Sequence, residues 1–127
     1  LELEDRIICD FNYANAEQTR DVICAADVVA QTYRGATQSG VTPLAYYYKT
    51  PILVSNLPGL MAPIDKDGTG VVTEKTPEKI ANNLYEILKE KKLLYYQKNI
   101  SQTFKNYSWQ SYCKSMFNFI DGIQKGE

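Results

Sequence analysis

Two short apolar runs, Val28–Thr32 and Pro51–Ser55, bracket a polar loop and an amphipathic stretch, and no other feature constrains the fold of this 127-residue chain as strongly. The segment Ala26–Leu60 reads ADVVAQTYRGATQSGVTPLAYYYKTPILVSNLPGL: strand, Gly/Thr/Gln/Ser loop, helix, Pro, second strand, Gly turn. Pro51-Ile52-Leu53-Val54-Ser55 is apolar at successive positions, as a strand covered on both faces of a parallel sheet must be. In such a sheet the loop Arg34–Thr42 falls at the carboxyl end of a strand. It also holds the amino end of the next helix, where unpaired N–H groups and the helix dipole favour an anion.

The flanking sequence repeats the alternation. Arg6–Phe11 (RIICDF) is an apolar run that predicts a buried strand, and Asn15–Ala26 has helical spacing with Asn15 as its N-cap. The spacing predicts a helix over Ser39–Tyr48 with Pro43 in its first turn. Asn56–Gly59 is expected to turn, Leu60–Ile64 to form a short helical piece limited by Pro63, and Asp65–Gly70 to turn again before an edge strand Val71–Thr73. Thr76-Pro77 is an N-cap followed by Pro at the first helical position, opening a helix with the stripe Ile80, Leu84, Ile87 and Leu88. Further helices are expected over Leu93–Phe104 and from Ser108, the last one ending at Gly122. The fold class is therefore α/β, a Rossmann-like parallel sheet flanked by helices. The chain reads as one domain, with residues from about 91 to 127 as terminal helices packed upon it.

Composition removes several function classes. The chain has no histidine, so Ser-His or Cys-His nucleophiles and His-ligated metals are excluded within it. A net charge of −1 gives no electrostatic footprint for nucleic acid or an acidic membrane. Cys9, Cys24 and Cys113 are widely spaced with no C-x-x-C pair, so neither zinc nor redox chemistry is indicated. Cys9 and Cys24 lie in apolar runs and are expected to be buried hydrophobes, in a reducing, cytoplasmic setting. The acidic start Leu1–Arg6 is unlike a signal peptide. With no initiator Met and a strand expected almost at once, the chain reads as a piece of a longer protein, incomplete at its amino end. Membrane association is expected only through a part outside this sequence.

The run ADVV, TYRGATQSGV, PLAYYYKTPILVSNLPGL, then DGTGVV and TPEKIANNLYEIL, resembles the carboxyl-terminal domain of GT-B glycosyltransferases, in particular family 4 (group 1) retaining enzymes. The resemblance spans roughly Asn12 to Leu88. Tyr107-Ser108-Trp109 is similar to the Tyr/Phe-Ser-Trp that opens that family's terminal helix. It implies that this domain holds a nucleotide diphospho-sugar for retaining hexosyl transfer in polysaccharide or glycoconjugate synthesis. An amino-terminal acceptor-binding domain would be its partner, and no metal or other cofactor is implied. The donor site it implies comprises Arg34, Thr37, Gln38, Ser39, Gly40, Val41, Thr42, Gly59 and Leu60. The amides of Ser39, Gly40 and Val41 would face the diphosphate, and Arg34 is the nearest cation. No catalytic residue is assigned.

The chain departs from the family pattern in its carboxylates. The first Glu of the family's E-x7-E motif falls near Ala36–Thr37 and the second near Leu44–Ala45, while Ala62 replaces the acid that often follows Gly-Leu. These losses keep a second reading open: a non-catalytic α/β interaction module or pseudo-transferase. The loop Thr37–Thr42 would then only cap its helix, and Arg34 would be a solvated cation. Asp65-Lys66-Asp67 spells D-x-D, but Asp-Gly is better explained by a turn, and Thr76 stands where a calcium loop needs Glu. Successive tyrosines at 46–48 project about 100° apart on a helix and form no stacking platform; they read as packing and surface residues. Tyr95, Tyr96, Phe104 and Trp109 are expected to pack the last helices against the sheet.

Overall fold

The computed structural model describes residues 3–125; residues 1 and 2 of the acidic start, and residues 126 and 127, which were expected to belong to the terminal helices, lie outside the described residues. Helix α1 (Ala16–Ala25) leads to β1 (Val29–Gln31), α2 (Val41–Tyr47), β2 (Ile52–Ser55), α3 (Pro58–Asp67) and β3 (Gly70–Thr73). Helices α4 (Pro77–Ile87), α5 (Glu90–Thr103) and α6 (Trp109–Lys125) follow, with a 3-10 turn Phe104–Tyr107 between the last two. The strands form a parallel sheet in the order β1-β2-β3, with Val29 beside Ile52 and Ser55 beside Thr73. The molecule is α/β, a three-stranded parallel sheet flanked by helices.

β2 is the central strand, and all four of its residues are buried. Ile52 and Val54 face a core built from Ala45 and Tyr46 of α2, Leu60 and Ile64 of α3, and Ile100 of α5. Alternation turns Leu53, equally buried, to the opposite face. The caps were legible in the sequence. Asn15 accepts from the Gln18 amide at 2.9 Å while Gln18 returns a bond to the Asn15 amide, a full capping box. Thr76 caps α4 with Pro77 behind it.

Several expected elements differ. The predicted strand Arg6–Phe11 does not form: Glu4–Arg6 is a 3-10 turn, and Ile7, Ile8 and Phe11 are exposed. Among the described residues no strand pairs with it, and an apolar run without a ladder cannot bury its own amides. Cys9 therefore lies exposed, and Cys24 is exposed too, because α1 turns its neighbour Ile23 inward instead. α3 is longer than expected, carries Pro63 inside it and includes Asp65–Asp67; its end is Gly68, in the left-handed region at φ 59°. The break between α4 and α5 falls at Leu88–Lys89 rather than Glu90–Lys92, and Gly122 lies within α6 rather than at its end. Trp109 does not pack on the sheet; it is 79% exposed.

Candidate functional site

The loop after β1 and the start of α3 meet at the carboxyl end of the sheet. They enclose a cavity of about 330 Å³ lined by Gln38, Ser39, Thr42, Pro43, Tyr46, Gly59, Pro63 and Tyr107. That volume lies in the range of small-molecule sites. Four of the nine residues singled out from the sequence, Gln38, Ser39, Thr42 and Gly59, therefore line one cavity.

Gly59 is what lets the two segments approach. A Cβ there would stand 1.5 Å from the Thr37 carbonyl oxygen, so only glycine permits this contact. Thr37 is thus held against α3 through its backbone but does not line the cavity. Pro63 has no N–H, so the Gly59 carbonyl lacks its i+4 helical donor, and both residues line the cavity.

Thr42 is held from behind. The buried Gln31 at the end of β1 donates from Nε2 to Thr42 Oγ1 at 3.1 Å, and Ser55 Oγ donates to the Gln31 carbonyl at 3.5 Å. Gln31 fixes the loop to the sheet, a role with no signal in the sequence beyond a polar residue at a strand end. Ser39 Oγ accepts from the Val41 amide at 3.2 Å, and the Tyr33 hydroxyl lies 3.4 Å from the same oxygen. One of the three amides expected to face a ligand is therefore already paired within the loop.

The other expected site residues sit elsewhere. Leu60 is a core residue, 1% exposed, because its position in α3 turns it towards Ile64 and β2 rather than the cavity. Arg34 is exposed and outside the cavity lining; its carbonyl accepts from Lys75 Nζ at 3.3 Å, which ties the loop to the segment after β3. Gly40 borders a second hollow of about 470 Å³ with Pro43, Tyr47, Phe104 and Trp109. The cavity wall holds neither a carboxylate nor a cation among the described residues.

Two tyrosines missed by the sequence reading complete the floor. Tyr46 lies one turn after Thr42, a spacing that puts both on one helix face; that spacing was the available signal. Its hydroxyl is 2.5 Å from Thr69 Oγ1, and its ring meets Tyr107 edge to face at 5.3 Å. Tyr107 arrives from the far end of the chain and donates to Asp67 Oδ2. The second aspartate of the D-x-D is thereby an acceptor for a tyrosine rather than part of a turn.

Burial raises the Tyr46 pKa above the ordinary tyrosine value, against the opposing effect of the Thr69 hydrogen bond. Burial and then the Asp67 carboxylate raise Tyr107 further, and burial raises Tyr96. A raised folded-state pKa favours the neutral form in the fold. The stability it contributes is complete below the unfolded value near pH ~10 and is lost as pH rises through the folded values. In a tyrosinate absorbance titration, Tyr46, Tyr96 and Tyr107 are expected to form a late phase above the ordinary tyrosine value. Tyr107→Phe is expected to shrink the late phase. An unchanged late phase in that variant contradicts the assignment.

No helix among the described residues is long and apolar enough to cross a membrane. No family model, no curated protein and no solved structure matches this chain.

Proposed function

We propose that the chain is the donor-binding half of a retaining GT-B hexosyltransferase of family 4 type, taking a nucleotide diphospho-sugar at the carboxyl end of its sheet. The observation that supports this is the convergence of Gln38, Ser39, Thr42 and Gly59, chosen from sequence alone, on one cavity. The hydroxyls of Ser39 and Thr42, the Gln38 amide and the Gly59 carbonyl offer donors and acceptors suited to a sugar and a diphosphate. The backbone amide of Ser39 would stabilise the leaving diphosphate as the anomeric bond breaks. Acceptor contacts belong to the partner domain, so the 127-residue chain alone is expected to bind donor without turnover.

The absence of carboxylate and cation from the cavity wall favours the second reading, a non-catalytic module or pseudo-transferase. Calorimetric titration with UDP, GDP and their sugars separates the two. Donor binding is expected, and Ser39→Tyr is expected to weaken it at least about tenfold, roughly 1.4 kcal/mol. No binding of any nucleotide would move the assignment to the second reading, and turnover by the chain alone would contradict the division of labour.

A further inference from the structure

The hydroxyls of Ser39 and Thr42 on the cavity wall are each fixed by an N–H donor that stands outside the lining. Gln31, fully buried, donates from Nε2 to Thr42 Oγ1 at 3.1 Å. The backbone amide of Val41 donates to Ser39 Oγ at 3.2 Å. Both lengths are ordinary for N–H···O, about 2.7–3.2 Å. Each oxygen therefore has one lone pair engaged and one proton still to place. The acceptors in reach are Gln31 Oε1, 3.4 Å from Thr42 Oγ1, and the Tyr33 hydroxyl, 3.4 Å from Ser39 Oγ. An O–H···O bond spans about 2.5–3.0 Å, so neither takes the proton well. Among the described residues neither hydroxyl has a closer acceptor.

We infer that Ser39 and Thr42 are set as a pair of O–H donors into the cavity, that Gln31 is the positioning residue for Thr42, and that the group they receive is a phosphoryl group. The inference rests on the donor-binding reading and says which part of the donor the cavity takes. Ionised phosphoryl oxygens accept hydrogen bonds without donating any, so they meet both unplaced protons. A sugar hydroxyl brings a further proton that itself needs an acceptor. A hydrogen bond to an ionised oxygen is also about twice as strong as a neutral one. Two fixed O–H donors can therefore hold an anion on a wall that has no cation. Gln31 acts through Thr42 alone: without the Nε2 donor behind it, the Thr42 hydroxyl is free to rotate and its proton is no longer aimed.

Calorimetric titration of the 127-residue chain with UDP, GDP, inorganic pyrophosphate and the two nucleosides tests the inference. Pyrophosphate separates the phosphoryl contact from contacts to ribose and base. Thr42→Val keeps the shape of the side chain without its hydroxyl, and Gln31→Met keeps most of the volume without the amide. Each is expected to weaken nucleotide and pyrophosphate about tenfold. The double variant is expected to lose no more than the worse single one, because both changes act through one hydroxyl. Amide shifts of Ser39, Gly40 and Val41 in Gln31→Met are expected to stay at their wild-type values. Thr42→Val, at a half-buried position, decides alone should Gln31→Met not fold. Nucleotide binding that Thr42→Val leaves unchanged overturns the inference and leaves the donor-binding reading standing. So does an equal loss for nucleoside and nucleotide, which places the hydroxyl against ribose or base. A displaced loop in Gln31→Met also overturns it, since the amide is then only a brace. A wild-type chain that binds neither nucleotide nor pyrophosphate removes the donor-binding reading and the inference together.

Discussion

Gly59→Ala is expected to lower the melting temperature by on the order of 10 °C, from about 2–3 kcal/mol of overpacking, and to abolish donor binding. The added methyl group would stand 1.5 Å from the Thr37 carbonyl oxygen and 2.6 Å from its carbon. Both are backbone atoms, so no rotamer change relieves the clash. Either the loop after β1 or the first turn of α3 must retreat. Gln38 and Ser39 follow Thr37 directly, and Thr42 opens α2 just beyond, so the wall of the cavity moves with the loop. Gly40→Ala is the matched control: its Cβ meets nothing within 4 Å, and its backbone is already in the right-handed helical region at φ −67°. Thermal melts of the two variants should differ widely. A Gly59→Ala protein that melts with the wild type would show that the loop and α3 are not in contact.

Tyr46→Ala carries the second large effect, a loss of about 3–5 kcal/mol on truncating a fully buried aromatic ring. That is a large fraction of the total stability of an ordinary domain, about 5–15 kcal/mol, so much of the variant population is expected to be unfolded at 37 °C. The ring is 2% exposed and sits among Ile52, Leu60, Ile64 and Ile100. Removing it also withdraws the edge-to-face partner of Tyr107 and opens the cavity floor. Tyr46→Phe isolates the hydroxyl. It leaves the fully buried Thr69 hydroxyl without its partner, a cost of about 1–3 kcal/mol. Adding Thr69→Val removes both ends of that bond, so the double variant is expected to be more stable than the sum of the two single losses. Urea denaturation of the four proteins in the cycle measures the coupling. Strict additivity would mean that the two hydroxyls do not meet.

The parts of the fold read correctly from sequence are those in which local chemistry is sufficient. Asn15 followed three residues later by Gln18, and Thr76 followed by Pro77, set helix starts through bonds made within one turn. Pro51–Ser55 announced a covered parallel strand by apolarity on both faces. The misreadings needed distant partners or their absence. Arg6–Phe11 has strand composition but no neighbouring ladder among the described residues. Pro63 reads as a helix limit, yet α3 continues through it to Gly68, and the amide it lacks frees the Gly59 carbonyl. The candidate site divided along the same line. Gln38, Ser39, Thr42 and Gly59 line one cavity, and their proximity was legible because loop, helix start and glycine turn lie within one continuous stretch. Leu60 was assigned by proximity to that turn, but helical phase sends its side chain into the core. Tyr107 was legible only as the start of the Tyr-Ser-Trp run and not as part of the cavity, since it comes from the far end of the chain, and Gln31 had no signal beyond a polar residue at a strand end, since it acts from behind.

The donor-binding reading requires a nucleotide diphosphate to seat between the loop after β1 and the start of α3. Amide chemical shifts of the isotope-labelled chain, followed while UDP or GDP is added, test it most directly. Saturable shifts are expected for Gln38, Ser39, Gly40, Thr42 and Gly59, extending to Tyr46 and Tyr107 beneath them, and absent in Gly59→Ala. Shifts confined elsewhere, such as the hollow beside α1 lined by Asn12, Gln18 and Val22, or none with either nucleotide at about millimolar concentration, would contradict it.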